Sequence, residues 1–224
     1  MVPTSLDHVA LWVADRDAIA DFAVAHLGMH VIERTERFTL IGSDARRGKL
    51  TLFAADGQRD AGVLAAIGLR VADLGSALAA LPEGYGAEFD VGEGVRVRLV
   101  EAETAVDYDL DHVALWAADP EEAAKQWCAL GFTAAPTEGG VSRVEVGGAF
   151  LELRSGEPGD QARPLLNHLS VLVDTAEEWR EQAVRTGAEI ADVVDGPNTY
   201  AVFVWGPERV KLEYVEHKPG FSLE

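Results

Sequence analysis

In the run Asp111 to Trp116 the side chains alternate, with Val113 and Leu115 on one face of an extended strand and His112, Ala114 and Trp116 on the other. The same six letters, Asp-His-Val-Ala-Leu-Trp, stand at Asp7 to Trp12. One face of each strand is aliphatic and calls for a helix against it. The other carries an imidazole, a small residue and an indole, which suits a lined pocket.

After each strand the period changes. Ile19, Phe22, Ala23 and Leu27 recur at helical spacing, which predicts a helix over about 15 to 27 with Asp15 as N-cap and Gly28 as stop. A second helix is expected from Asp119 and Pro120 to Gly131, and a short one from Asp73 to Leu81. Asp174-Thr175-Ala176-Glu177 opens another in the manner of a capping box, ended by Gly187. Period-two runs mark further strands, among them 95–100, 142–146, 149–154, 201–204 and 209–215.

The layout of strand, helix and further strands also starts at Leu166 to Asp174 and, without its histidine, at Gly68 to Asp73. Four units of roughly 50 residues follow, and a unit of this size cannot bury its own apolar face. The expected fold class is α+β, with four tandem βαβββ modules forming two paired-module domains. The polar segment 102–109 separates an N-terminal domain, 1–105, from a C-terminal one, 106–224. Contiguous pairing joins units three and four. The alternative, one with four and two with three, would bring His8 to His168 and Glu213 and part them from His112 and Glu152.

The 224 residues carry 38 acidic and 19 basic side chains, a net charge of −19, which excludes a basic face for nucleic acid or an anionic membrane. The single cysteine, Cys128, rules out an intramolecular disulfide and falls in a helical stretch as a structural thiol. No apolar run approaches a membrane span and no basic segment followed by an apolar run opens the chain, so the expected location is cytoplasmic.

Candidate chemistry lies on the pocket faces. Unit three pairs His112 in its first strand with Glu152 in its last, and unit four pairs His168 with Glu213. Brought together, these four side chains form an N₂O₂ set for one divalent metal, Ni, Co, Mn, Fe or Zn, with two positions left for adjacent oxygens of a substrate. Strand alternation puts Trp116, Phe150, Arg154, Ser170 and Lys211 on the metal's side, and Tyr200 lies near the final hairpin, as candidate substrate contacts. In the first half only His8 keeps a ligand-type residue. Thr51 aligns with Glu152, Ile67 with His168 and Arg98 with Glu213, so this half reads as a scaffold without its own site.

This order of strand-His, helix and strand-Glu in tandem βαβββ units resembles the vicinal oxygen chelate superfamily, which includes glyoxalase I, methylmalonyl-CoA epimerase, fosfomycin-resistance proteins and extradiol dioxygenases. The resemblance implies a divalent-metal enzyme of the glyoxalase or isomerase kind, with Glu152 or Glu213 as the base that removes a proton beside a carbonyl. The alternatives after it are an extradiol Fe(II) dioxygenase using His112, His168 and Glu213, and a non-catalytic binding protein of the bleomycin-resistance kind. The implied partner is a small molecule, and a homodimer is an open alternative.

Overall fold

The computed structural model describes residues 1–224, the side chain of Glu138 excepted. Unit one comprises β1 (Ser5–Val13), α1 (Arg16–His26), β2 (His30–Arg34), β3 (Phe38–Gly42) and β4 (Lys49–Ala54). Unit two is β5 (Leu64–Val71), α2 (Leu74–Ala80), β6 (Glu88–Asp90) and β7 (Arg96–Glu101), one strand fewer than expected. Unit three is β8 (Asp109–Ala117), α3 (Pro120–Ala129), β9 (Thr133–Glu138), β10 (Val141–Val146) and β11 (Ala149–Ser155). Unit four is β12 (Leu166–Leu172), α4 (Ala176–Thr186), β13 (Ile190–Asp195), β14 (Thr199–Trp205) and β15 (Lys211–His217).

Local chemistry accounts for the helix ends. Asp15, Asp73 and Asp119 each accept from a backbone N–H three residues on, at 2.9–3.0 Å. The capping box at α4 does not form. Thr175 makes no capping hydrogen bond, Glu216 accepts from the Ala176 N–H at 3.0 Å, and Glu177 turns to Arg180 and Tyr200. Gly187 closes α4 in the left-handed region, φ +73°.

The units pair one with four and two with three. An eight-stranded sheet runs β13-β14-β15-β12-β1-β4-β3-β2, and a seven-stranded sheet runs β6-β7-β5-β8-β11-β10-β9. The contiguous pairing of units three and four is therefore corrected: each sheet draws one unit from either side of the segment 102–109. At each centre two unit-opening strands meet antiparallel. His8 lies across from Ser170 and Ala10 from His168 in one sheet, Gly68 from His112 and Ala66 from Ala114 in the other. Flanking these, β4 and β15 run parallel to β1 and β12 as β11 and β7 do to β8 and β5.

The aliphatic faces of all four central strands join the helices in one core. Val9, Leu11, Ile67, Leu69, Val113, Leu115, Leu169 and Val171 are buried in it with Ile19, Trp127 and Trp179 from the helices. Elements of different units lock together there. Phe22 of α1 packs on Phe89 of β6 with ring centroids 6.0 Å apart, and Trp179 of α4 stacks on Tyr214 at 4.4 Å, whose hydroxyl donates to the Leu130 carbonyl at 2.8 Å. Each sheet thus presents the alternate face of its strands, with the histidines, away from the helices.

Candidate metal centre

On the eight-stranded sheet three side chains from three strands converge: His8 of β1, His168 of β12 and Glu213 of β15. Their positions follow from register, since His8 lies beside Ser170 and Ser170 beside Glu213, so the three cross the sheet on one face. His8 Nε2 and His168 Nε2 stand 3.0 Å apart, and each is 3.2–3.3 Å from Glu213 Oε2. The triangle is nearly equilateral. Neighbouring ligands on one face of an octahedral ion, bound at about 2.0–2.2 Å, are separated by about 3 Å, so the spacing fits a single divalent ion bound facially.

The outward nitrogens are fixed. His8 Nδ1–H donates to Asp7 Oδ1 at 2.7 Å and His168 Nδ1–H to Asn167 Oδ1 at 3.0 Å, which leaves both Nε2 atoms directed at Glu213 as lone-pair donors. Three electron-rich atoms at such distances need a proton or a cation between them. Burial would lower the His8 pKa, but the Glu213 charge and the hydrogen bonds to Asp7 and Glu213 outweigh it and raise the value to about 9. His168 is lowered by burial and by the neighbouring His8, against the pull of Glu213. Burial opposes ionisation of Glu213, yet the two imidazoles hold it well below the usual carboxylate range.

Behind His8 lies a buried polar group. Asp7, 1 % exposed, takes Lys49 Nζ at 3.0 Å and His217 Nε2 at 3.2 Å besides His8, and these partners keep it ionised despite burial. Lys49 is itself buried and also donates to the Ala45 carbonyl at 2.8 Å. Phe221 stacks on His217 at 4.2 Å and closes this side.

Aromatic rings wall the triad. Phe53 and Phe203 approach His168 with centroids at 6.1 and 5.1 Å, and Trp12 and Phe38 pack on Phe53 at 5.3 and 5.7 Å. Lys211 reaches over Phe203 and Trp205. The four-residue set His112, Glu152, His168 and Glu213 is accordingly corrected. His168 and Glu213 meet with His8, while His112 and Glu152 lie on the other sheet, because β12 pairs with β1 and not with β8.

There His112 donates from Nδ1 to Asp111 at 2.7 Å and stacks on Phe150 at 5.0 Å. Glu152 accepts from Arg154 Nε at 2.6 Å, and although burial resists, this bond and the Arg154 charge lower its pKa. Trp116 packs on Ala65, Ala66 and Ala114 in the same cup, so Trp116, Phe150 and Arg154 do not face the triad. Ser170 and Lys211 do. Tyr200 points to the helix side, where its hydroxyl donates to Glu177 at 2.8 Å. Register makes Ala66, rather than Ile67, the counterpart of His168, and confirms Thr51 for Glu152 and Arg98 for Glu213. The wall residues Phe38, Phe53 and Trp12 had a signal in the sequence, since Phe53 follows Thr51 by two positions and Trp12 follows His8 by four.

Residues 5–97 match the family model of the Glyoxalase/Bleomycin resistance protein/Dioxygenase superfamily. Among solved structures, a putative dioxygenase from Bacillus subtilis is similar at 17% identity and TM-score 0.83, with 98% of this chain and 87% of that one covered. Glyoxalase I from Zea mays is similar at 15% identity and TM-score 0.74, over 95% of this chain and 92% of that one. At these identities the likeness establishes the fold alone. No curated protein sequence matches the chain. The family model thus covers the first two units, under half of the chain, and the solved structures share its paired-module fold.

Proposed function

We propose that His8, His168 and Glu213 hold one divalent cation and that the protein is an extradiol-type oxygenase acting on a small substrate chelated through vicinal oxygens. The observation that carries this reading is the closed triangle of two Nε2 atoms and one carboxylate oxygen at 3.0–3.3 Å. Two histidines and one carboxylate on one face are the donor set of non-haem Fe(II) oxygenases. A divalent cation bound there supplies Lewis acidity to the chelated oxygens and, if it is iron(II), a redox partner for dioxygen.

The chain's own residues supply the rest. Asp7 and Asn167 hold the two imidazoles in the tautomer that turns Nε2 inward. Phe53, Phe203 and Trp12 keep bulk water from the chelated oxygens and offer flat apolar surface to a planar substrate. Glu213 neutralises one of the two charges of the cation.

The glyoxalase or isomerase reading loses its main support with Glu152 on the other sheet. Thr51 holds the corresponding place beside the triad, so the second carboxylate is missing and Glu213 would have to serve as both ligand and base. A binding protein without metal has no use for the triangle. Elemental analysis of protein purified without added metal, coupled to oxygen uptake on catechols, tests the proposal. Iron with oxygen uptake supports it. Nickel, cobalt, manganese or zinc with no uptake on reconstitution with iron(II) would move the isomerase reading ahead, and absence of any bound metal would favour the binding protein.

A further inference from the structure

The chain has twice as many acidic as basic side chains, 38 against 19. Three of its four lysines engage carboxylates: Lys49 with Asp7, Lys125 with Glu122 and Lys218 with Asp195. Lys211 is the exception. Among the described residues no carboxylate lies within ion-pair distance of it, and its Nζ rests instead 5.9 Å from the Phe203 ring centroid and 5.4 Å from that of Trp205.

Its place explains the difference. Lys211 opens β15, two residues before Glu213 on the same face of the strand, and Phe203 is the ring that touches His168 at 5.1 Å. The ammonium therefore stands at the mouth of the aromatic cup, one ring away from the triad. The two arginines stacked on Trp205 and Trp12 are already committed: Arg209 pairs with Glu189 at 2.8 Å and Arg59 with Asp56 at 3.0 Å. A cation held only over aromatic rings, with no internal carboxylate, beside a cup floored by a metal-binding triad is available to an anionic ligand.

We propose that the substrate of this site is a planar compound bearing a carboxylate on the side of the ring opposite its vicinal oxygens, and that Lys211 is the residue selecting the carboxylate. The inference rests on the chelating role given to the triad above. It adds a charge requirement that the aromatic wall alone does not impose, because flat apolar rings accept neutral and anionic ligands alike. A single ammonium on a flexible stem suits a monoanion held as a point charge.

The test is calorimetric binding of catechol and of 3,4-dihydroxybenzoate to the zinc-loaded protein, in which no turnover with oxygen intervenes. Wild type is expected to bind the carboxylate-bearing probe about tenfold more tightly than catechol, the worth of one charge-assisted contact. That ratio should shrink with added salt and fall towards one in Lys211→Met. Lys211→Arg should retain most of it, as should Arg209→Gln, whose cation is spoken for by Glu189. Equal affinity for the two probes in wild type, or an unchanged ratio in Lys211→Met, would overturn the role of Lys211 while leaving the chelating triad intact. Failure of both probes to bind the zinc-loaded wild type would overturn the chelation reading and this inference together.

Discussion

His8 and His168, 160 residues apart in sequence, face each other through their Nε2 atoms at 3.0 Å. They belong to the first and last of four repeated units, so the centre exists only when the two ends of the chain share a sheet. Mutations that weaken the β1–β12 seam should therefore cost metal binding as well as stability.

The group behind His8 gives the first prediction. Removing Lys49 leaves Asp7 as a buried carboxylate without its main counter-charge, and breaking one side of a buried pair typically costs about 3–5 kcal/mol. Lys49→Met should unfold at markedly lower denaturant. Asp7→Asn keeps the side chain's shape but strips buried Lys49 of its counter-charge, so it too should lose stability, and its folded fraction should bind metal about 10–100-fold more weakly because the group orienting His8 has lost its charge. Chemical denaturation and metal titration read the two effects separately.

The titration of the metal-free protein gives a second. His8 has its pKa raised from 6.5 to about 9, chiefly by Glu213 acting against burial. A raised value means that protonated His8 stabilises the fold fully below about pH 6.5 and that this contribution is lost as pH rises through about 9. Thermal unfolding of the metal-free protein should accordingly fall between these limits. The metal-loaded protein should show little change there, since the cation has displaced the proton. Parallel melting curves from pH 6 to 10 check this, and matching slopes with and without metal would refute it.

How much of this was legible beforehand is clearest at the central strands. The duplicated Asp-His-Val-Ala-Leu-Trp run predicts both strands, both histidines and the helix-facing side, and alternation alone places Ser170, Lys211 and Glu213 on the ligand face. It does not choose partners. Val9 and Leu11 present the same surface to β12 as Val113 and Leu115 would, so local pattern cannot decide whether His8 or His112 meets His168. Counting ligand-type residues favoured units three and four, whereas Glu152 lies on the other sheet and accepts from Arg154. One signal did point the right way. Gly68 lies mid-strand, where glycine marks a close approach, and it is opposite His112 that space is needed.

That glycine supplies the third prediction. A Cβ at position 68 would sit 2.2 Å from the His112 ring, and both groups are buried, so Gly68→Ala must displace the imidazole. Overpacking of this kind costs about 1–3 kcal/mol. The variant should melt earlier than wild type yet bind the same amount of metal, because the strain falls on the sheet without the triad. Calorimetric melting with metal analysis of the same sample separates the two.

The most direct measurement is the metal-to-protein ratio of four single variants prepared alike, His8→Ala, Glu213→Ala, His112→Ala and Glu152→Ala, with folding verified by circular dichroism. A centre built from units one and four predicts that His8→Ala and Glu213→Ala lose the metal while His112→Ala and Glu152→Ala keep one ion per chain. Loss of metal in Glu152→Ala with full retention in His8→Ala would contradict it.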